Sequence, residues 1–135
     1  MKNFLFQTVP VLHFGVGCLA ELPGQIAALR ASRPMIVTDK GIVDAGLIAP
    51  IEETLKVAGL AVTIFDAVTA DPPEKTVLQA IDAAKSADVD IVIGLVGGST
   101  LDTAKVVAAL AVDDAQPLQE NHGVRALARK GQPTI

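Results

Sequence analysis

Residues 90–105, DIVIGLVGGSTLDTAK, join an apolar run, a Gly-Gly-Ser turn and a helix-forming stretch end to end. Asp90 to Gly94 is short and apolar, the pattern of a buried strand. From Thr100 to Ala111, Leu101, Ala104, Ala108 and Ala111 recur at helical spacing on one face. A buried strand that turns through glycines into a helix must belong to a sheet covered by helices.

The same alternation runs through the preceding residues. Val11 to Phe14 is a short apolar run ending at Gly15 and Gly17, which predicts a strand entering a turn. Leu19, Leu22, Ile26 and Leu29 predict a helix, and Pro23 places its start nearby. Pro34 to Thr38 (PMIVT) predicts a strand closed by Asp39-Lys40-Gly41. Ile48, Ile51, Leu55 and Ala58 predict a helix with Pro50 in its first turn and Gly59 at its stop. Leu60 to Phe65 predicts a third strand, Asp71-Pro72-Pro73 a break, and Val77, Ile81 and Ala84 a helix beyond it.

The expected fold class is α/β: a Rossmann-like parallel sheet flanked by helices in three αβα layers, spanning residues 1–112. Ligands of such sheets bind beyond the carboxyl ends of the strands. Thr38-Asp39, Asp66 and Gly97-Gly98-Ser99 are expected at those ends. Residues 113–135 form a second region, polar and irregular, with a short helix expected over 124–129. Pro133-Thr134-Ile135 reads as the start of a further strand, so the sheet edge is left unfinished.

Composition narrows the function classes. Half of the 135 residues are apolar, and with no Trp or Tyr the core must be aliphatic. The net charge is -4, and the one basic cluster, Arg125, Arg129 and Lys130, reads as a solvated tail. No basic stripe or aromatic platform points to nucleic acid. No apolar run is long enough to span a bilayer and no leader is evident at the start, so a cytoplasmic protein is expected. Cys18 is the single cysteine, read as a small buried hydrophobe, and excludes an internal disulfide.

The chemistry gathers at the glycine turn. Gly97 and Gly98 let the backbone approach a ligand with no Cβ between them. Ser99 is placed to cap the following helix, with Asp102 three residues on as in a capping box. The free N–H groups of that first turn attract anions, and a pyrophosphate fits them. A tight turn with a capped helix and no ligand is the plainer reading of the same residues. Asp102 either caps or faces a ribose, and Lys105 either neutralises phosphate or pairs with Asp102 on a solvated face. Asp39, after a strand, can accept both hydroxyls of an adenosine ribose and would repel a 2′-phosphate, or it is simply a turn aspartate.

Gly15-Val16-Gly17-Cys18-Leu19-Ala20 competes for the same role. It fits GxGxxA, with Asp39 about 20 residues further on, as a dinucleotide fingerprint requires. The short run before it and Pro23 after it weigh against that reading. His13 and His122 are the only histidines, and no metal-ligand spacing is present. Ser99 has no GxSxG context, which argues against nucleophilic hydrolysis.

Taken together, LHFGVG, IVTDKG followed by AGL, FDAVTADP and DIVIGLVGGSTLDTAK resemble the amino-terminal domain of the iron-containing alcohol dehydrogenase family over nearly the whole chain. Dehydroquinate synthase and glycerol dehydrogenase share the broader architecture. The most specific part is the last, where the family has Gly-Gly-Gly-Ser, two residues, Asp, one residue and Ala-Lys. The resemblance implies that Gly97, Gly98 and Ser99 hold the pyrophosphate of NAD, that Asp39 contacts the adenosine ribose and favours NAD over NADP, and that Asp102 lies beside the cofactor. It also reduces Gly15 and Gly17 to a turn before the first helix.

This chain departs from the family pattern in three places. Val96 stands where the family has the first glycine of its triplet, and Asp71 where it has an asparagine. The resemblance further implies a threonine-rich segment and a helical domain after Ile135, the latter supplying an Asp and three His for iron or another divalent metal. The 135 residues hold no substitute for those ligands, so the chain alone is expected to be inactive as an alcohol dehydrogenase. The alternative is a non-catalytic nucleotide-binding or interaction module. Either form is expected to take a small-molecule nucleotide and to self-associate or use a partner over the unfinished face.

Overall fold

The structure is a computed structural model, and it describes residues 11–112 and 132–135. Among the described residues, three parallel strands form the sheet: β1 (Pro34–Asp39), β2 (Thr63–Val68) and β3 (Ile91–Gly94), in the order β2-β1-β3. The helices are α1 (Leu22–Ala28), α2 (Lys40–Asp44), α3 (Ala49–Val57), α4 (Glu74–Ser86) and α5 (Gly98–Leu110). A 3-10 turn, Cys18–Glu21, leads into α1.

Side chains of β1 alternate between two cores. Met35 and Val37 pack with Val92, Ala80, Ala84, Ala104 and Val107 on the face covered by α4 and α5. Ile36 packs with Ile91, Ile93, Ile26, Ile51 and Leu55 on the face covered by α1 and α3. Both sheet faces are therefore dry, which is why the strands read as continuous aliphatic runs. The expected three-layer αβα arrangement is what the structure has.

The chain leaves β1 on one side, through α2 and α3 to β2, and returns through α4 to β3 on the other side. The strand order thus reverses between β1 and β3, and a crevice opens at their carboxyl ends. Two hydrogen bonds tie the fork: Leu95 N–H donates to the Val37 carbonyl at 3.0 Å, and the Thr38 hydroxyl donates to the Leu95 carbonyl at 3.2 Å. The far end of the sheet is closed by Asp90, whose carboxylate accepts the Ser32 and Arg33 N–H groups at 2.8 to 3.1 Å.

Several local expectations change. Residues 11–14 form no strand; Leu12 and Phe14 are 82% and 98% exposed, and no strand among the described residues pairs them. The third expected strand is displaced, since residues 60–62 precede β2 and Asp66 lies within it rather than at its end. The register slips between Val37 and Asp39, with one extra residue on β2. Such a bulge re-aims the chain at a sheet rim, and Thr69 and Ala70 rather than Asp66 reach the crevice.

The further strand expected from Pro133-Thr134-Ile135 does begin there, as an isolated bridge. Thr134 bridges Val92 in parallel, Val92 N–H donates to Pro133 and Gly94 N–H donates to Ile135. The helix expected over 124–129, His122, and the Arg125, Arg129 and Lys130 cluster lie outside the described residues. No helix among the described residues is long and apolar enough to cross a membrane.

Candidate functional site

A cleft of about 480 Å³ opens at the carboxyl ends of β1 and β3. Asp39, Lys40 and Gly41 form one wall, Gly97 to Thr100 the other, and Val68 to Ala70 the side nearest β2. Three segments distant in sequence meet there because the parallel strands end at one level.

Gly97 builds the second wall. At φ 81° and ψ 146° it occupies backbone space open only to glycine, and it is the N-cap of α5. No side chain caps α5. The sequence expectation of a Ser99 cap with an Asp102 capping box is therefore corrected: the helix starts earlier, at Gly98, and puts Ser99 in its first turn. The first-turn N–H groups have no partner within the helix. They stand at the cleft wall, where the helix dipole favours an anion.

Ser99 is held by Asp71, which the sequence places at a break in the chain. The Asp71 N–H donates to Ser99 Oγ at 3.4 Å, so the serine hydroxyl keeps its own proton for another acceptor. Asp71 makes this contact from a left-handed turn at φ 51°, a conformation that aspartate tolerates. The Ser99 carbonyl accepts the Thr103 hydroxyl at 2.7 Å, fixing the first turn from below.

Asp39 sits at the end of β1 and caps α2, its Oδ1 accepting the Ile42 N–H at 3.1 Å. No described residue takes Oδ2, so the carboxylate serves the turn and still presents an acceptor to the cleft. The turn reading of Asp39 is what this geometry shows, at a position that also lines the cleft.

Asp102 is different. It lies outside the cleft lining, on an exposed face of α5, and pairs with Lys105 at 3.1 Å. Gly15 and Gly17 also lie away from the cleft, preceded by no strand among the described residues and followed by a 3-10 turn. The GxGxxA reading therefore lacks the strand–turn–helix context it needs.

Lys40, Thr69 and Thr100 line the cleft and were not singled out by sequence. Lys40 reads locally as a turn lysine, and Thr69 reaches the cleft through the β2 bulge. Thr100 lies on the buried side of α5, at 2% exposure, a position fixed by the true helix start.

The sequence model of the iron-containing alcohol dehydrogenase family matches residues 10–135. This chain belongs to that family.

Long-chain-alcohol dehydrogenase 1 of Geobacillus thermodenitrificans is 35% identical over 128 residues, covering 93% of this chain and 32% of that protein. The NAD-dependent methanol dehydrogenase of Bacillus methanolicus is 27% identical over 135 residues, covering 100% of this chain and 35% of that protein. Among solved structures, the NADH-dependent butanol dehydrogenase A of Thermotoga maritima superposes with a TM-score of 0.86 at 27% identity, over 99% of this chain and 34% of the other. The chain spans about a third of the length of these relatives and corresponds to their amino-terminal part.

The glycine wall fits a dinucleotide phosphate. A Cβ at Gly98 would meet no atom within 4 Å, so the space that glycine leaves clear is the cleft itself. Iron has no such fit here: among the described residues no group of three or more His, Cys, Asp or Glu side chains could hold a metal ion.

Proposed function

We propose that this chain forms the NAD-binding part of a metal-dependent alcohol dehydrogenase. The carrying observation is the cleft between Asp39 and the uncapped start of α5, at the switch point of the sheet. In this reading the N–H groups of Gly98 and Ser99 and the Ser99 hydroxyl donate to the pyrophosphate. Asp39 Oδ2 accepts the adenosine ribose hydroxyls. A 2′-phosphate at the same place would meet a carboxylate, so NAD is preferred over NADP.

The bound nicotinamide supplies a hydride acceptor for oxidation of an alcohol to an aldehyde or ketone. The described residues orient the phosphate and ribose end of that cofactor. They hold no metal-binding group, and no step of the alcohol chemistry is assigned to them.

Backbone amide spectra recorded during titration with ADP-ribose test this reading. Saturable shifts centred on Gly97, Gly98, Ser99 and Gly41 are expected. Shifts centred on Gly15 and Gly17, or no saturable shifts from a folded chain, contradict it.

A further inference from the structure

We propose that Lys40 is the cation that holds the cofactor phosphates in this cleft, an assignment that rests on the nucleotide reading above. Lys40 is the one cationic side chain among the described residues lining the cleft, and Asp39 the one anionic side chain. The two are consecutive, at the end of β1 and the start of α2.

The charge balance of the cleft turns on Lys40. The start of α5 contributes roughly half a positive charge. The Asp39 carboxylate outweighs it, so without Lys40 the cleft is net negative and repels a pyrophosphate that carries two negative charges. With Lys40 the sum becomes positive. Asp39 can then serve as a hydroxyl acceptor inside an anion-binding cleft, which it would otherwise oppose.

Lys40 is also available. Lys56 is engaged by Glu52 at 2.7 Å and Lys105 by Asp102 at 3.1 Å, whereas no described carboxylate lies within ion-pair distance of Lys40. Lys40 is exposed and lines the cleft, and its ammonium is carried on a stem flexible enough to follow a phosphate. Lys105, the residue that the sequence offers for this role, is turned to Asp102 on the outer face of α5.

The test compares ADP-ribose and adenosine binding to the unsubstituted chain and to Lys40→Gln, Lys40→Arg and Lys75→Gln, the last an exposed residue of α4 outside the cleft. Lys40→Gln is expected to raise the ADP-ribose Kd about fivefold at low salt. It should also flatten the salt dependence of that Kd and leave adenosine affinity unchanged. Lys40→Arg and Lys75→Gln should stay near the unsubstituted value. Equal losses in Lys40→Gln and Lys75→Gln, or an unchanged ADP-ribose Kd in Lys40→Gln, overturn the role of Lys40 alone. Failure of the unsubstituted, folded chain to bind ADP-ribose overturns the nucleotide reading itself.

Discussion

The Thr38 hydroxyl donates to the Leu95 carbonyl at 3.2 Å, across the fork where β1 and β3 part. Thr38 is fully buried, and Ile36 and Val37 before it in β1 face the two aliphatic cores. This bond joins the two walls of the cleft, since Asp39 follows Thr38 and the glycine turn follows Leu95. Thr38→Val keeps the shape and removes the donor. The Leu95 carbonyl then loses a partner in a buried setting, at a cost of about 1–2 kcal/mol. Urea unfolding should show that loss, together with weaker ADP-ribose binding. Full stability in the valine variant would count against the fork as a fixed element.

Val96 adopts φ 65°, a left-handed conformation that β-branched residues avoid. Its side chain is 51% exposed, so little packing offsets the strain. Val96→Gly relieves roughly 1–2 kcal/mol of backbone strain and gives back about 0.4–1 kcal/mol through the freer unfolded chain. The net expectation is a stabilisation of about 1 kcal/mol, read as a Tm rise of roughly 4 °C, with tighter NADH binding. A lower Tm would show that the valine side chain holds the loop.

Gly94 ends β3 under α5. A Cβ there would stand 2.9 Å from Leu101 Cδ2 and 3.0 Å from Ala104 Cβ, closer than atoms pack. Gly94→Ala should therefore cost about 1–3 kcal/mol by overpacking and push α5 away from the sheet. Chemical denaturation measures the cost; a neutral effect would mean that α5 shifts freely.

Asp39 has two roles that different substitutions separate. Asparagine is a good N-cap, so Asp39→Asn should keep the Ile42 bond and change stability by less than about 0.5 kcal/mol. The same change removes the charge that opposes a 2′-phosphate. The ratio of NADPH to NADH affinity should rise several-fold. An unchanged ratio would place the ribose elsewhere.

The alternation of strands and helices was legible because both sheet faces are buried and each crossover helix carries a regular apolar stripe. Pro50 and Gly59 mark the ends of α3 by a separate signal, local backbone chemistry. Helix α2 escaped notice because five residues are too few to show a period. The run at 11–14 has the apolar residues of a strand, but such residues make a strand only where another pairs them, and none among the described residues does. At the glycine turn the residues were legible and their roles less so. Ser99 carries the chemistry of a cap, yet Gly97 starts the helix, because the turn geometry and not the side chain decides where α5 begins. Lys40 and Thr100 belong to the cleft through the packing of α2 and α5 against strand ends, which no local pattern encodes.

The most direct measurement is calorimetric titration of the chain with NADH, with circular dichroism confirming that it is folded. The account predicts saturable binding at one site, weakened by Ser99→Ala and more strongly by a bulky side chain at Gly98, Gly98→Val. No binding by the folded chain, or binding indifferent to both substitutions, would contradict the cleft as the dinucleotide site.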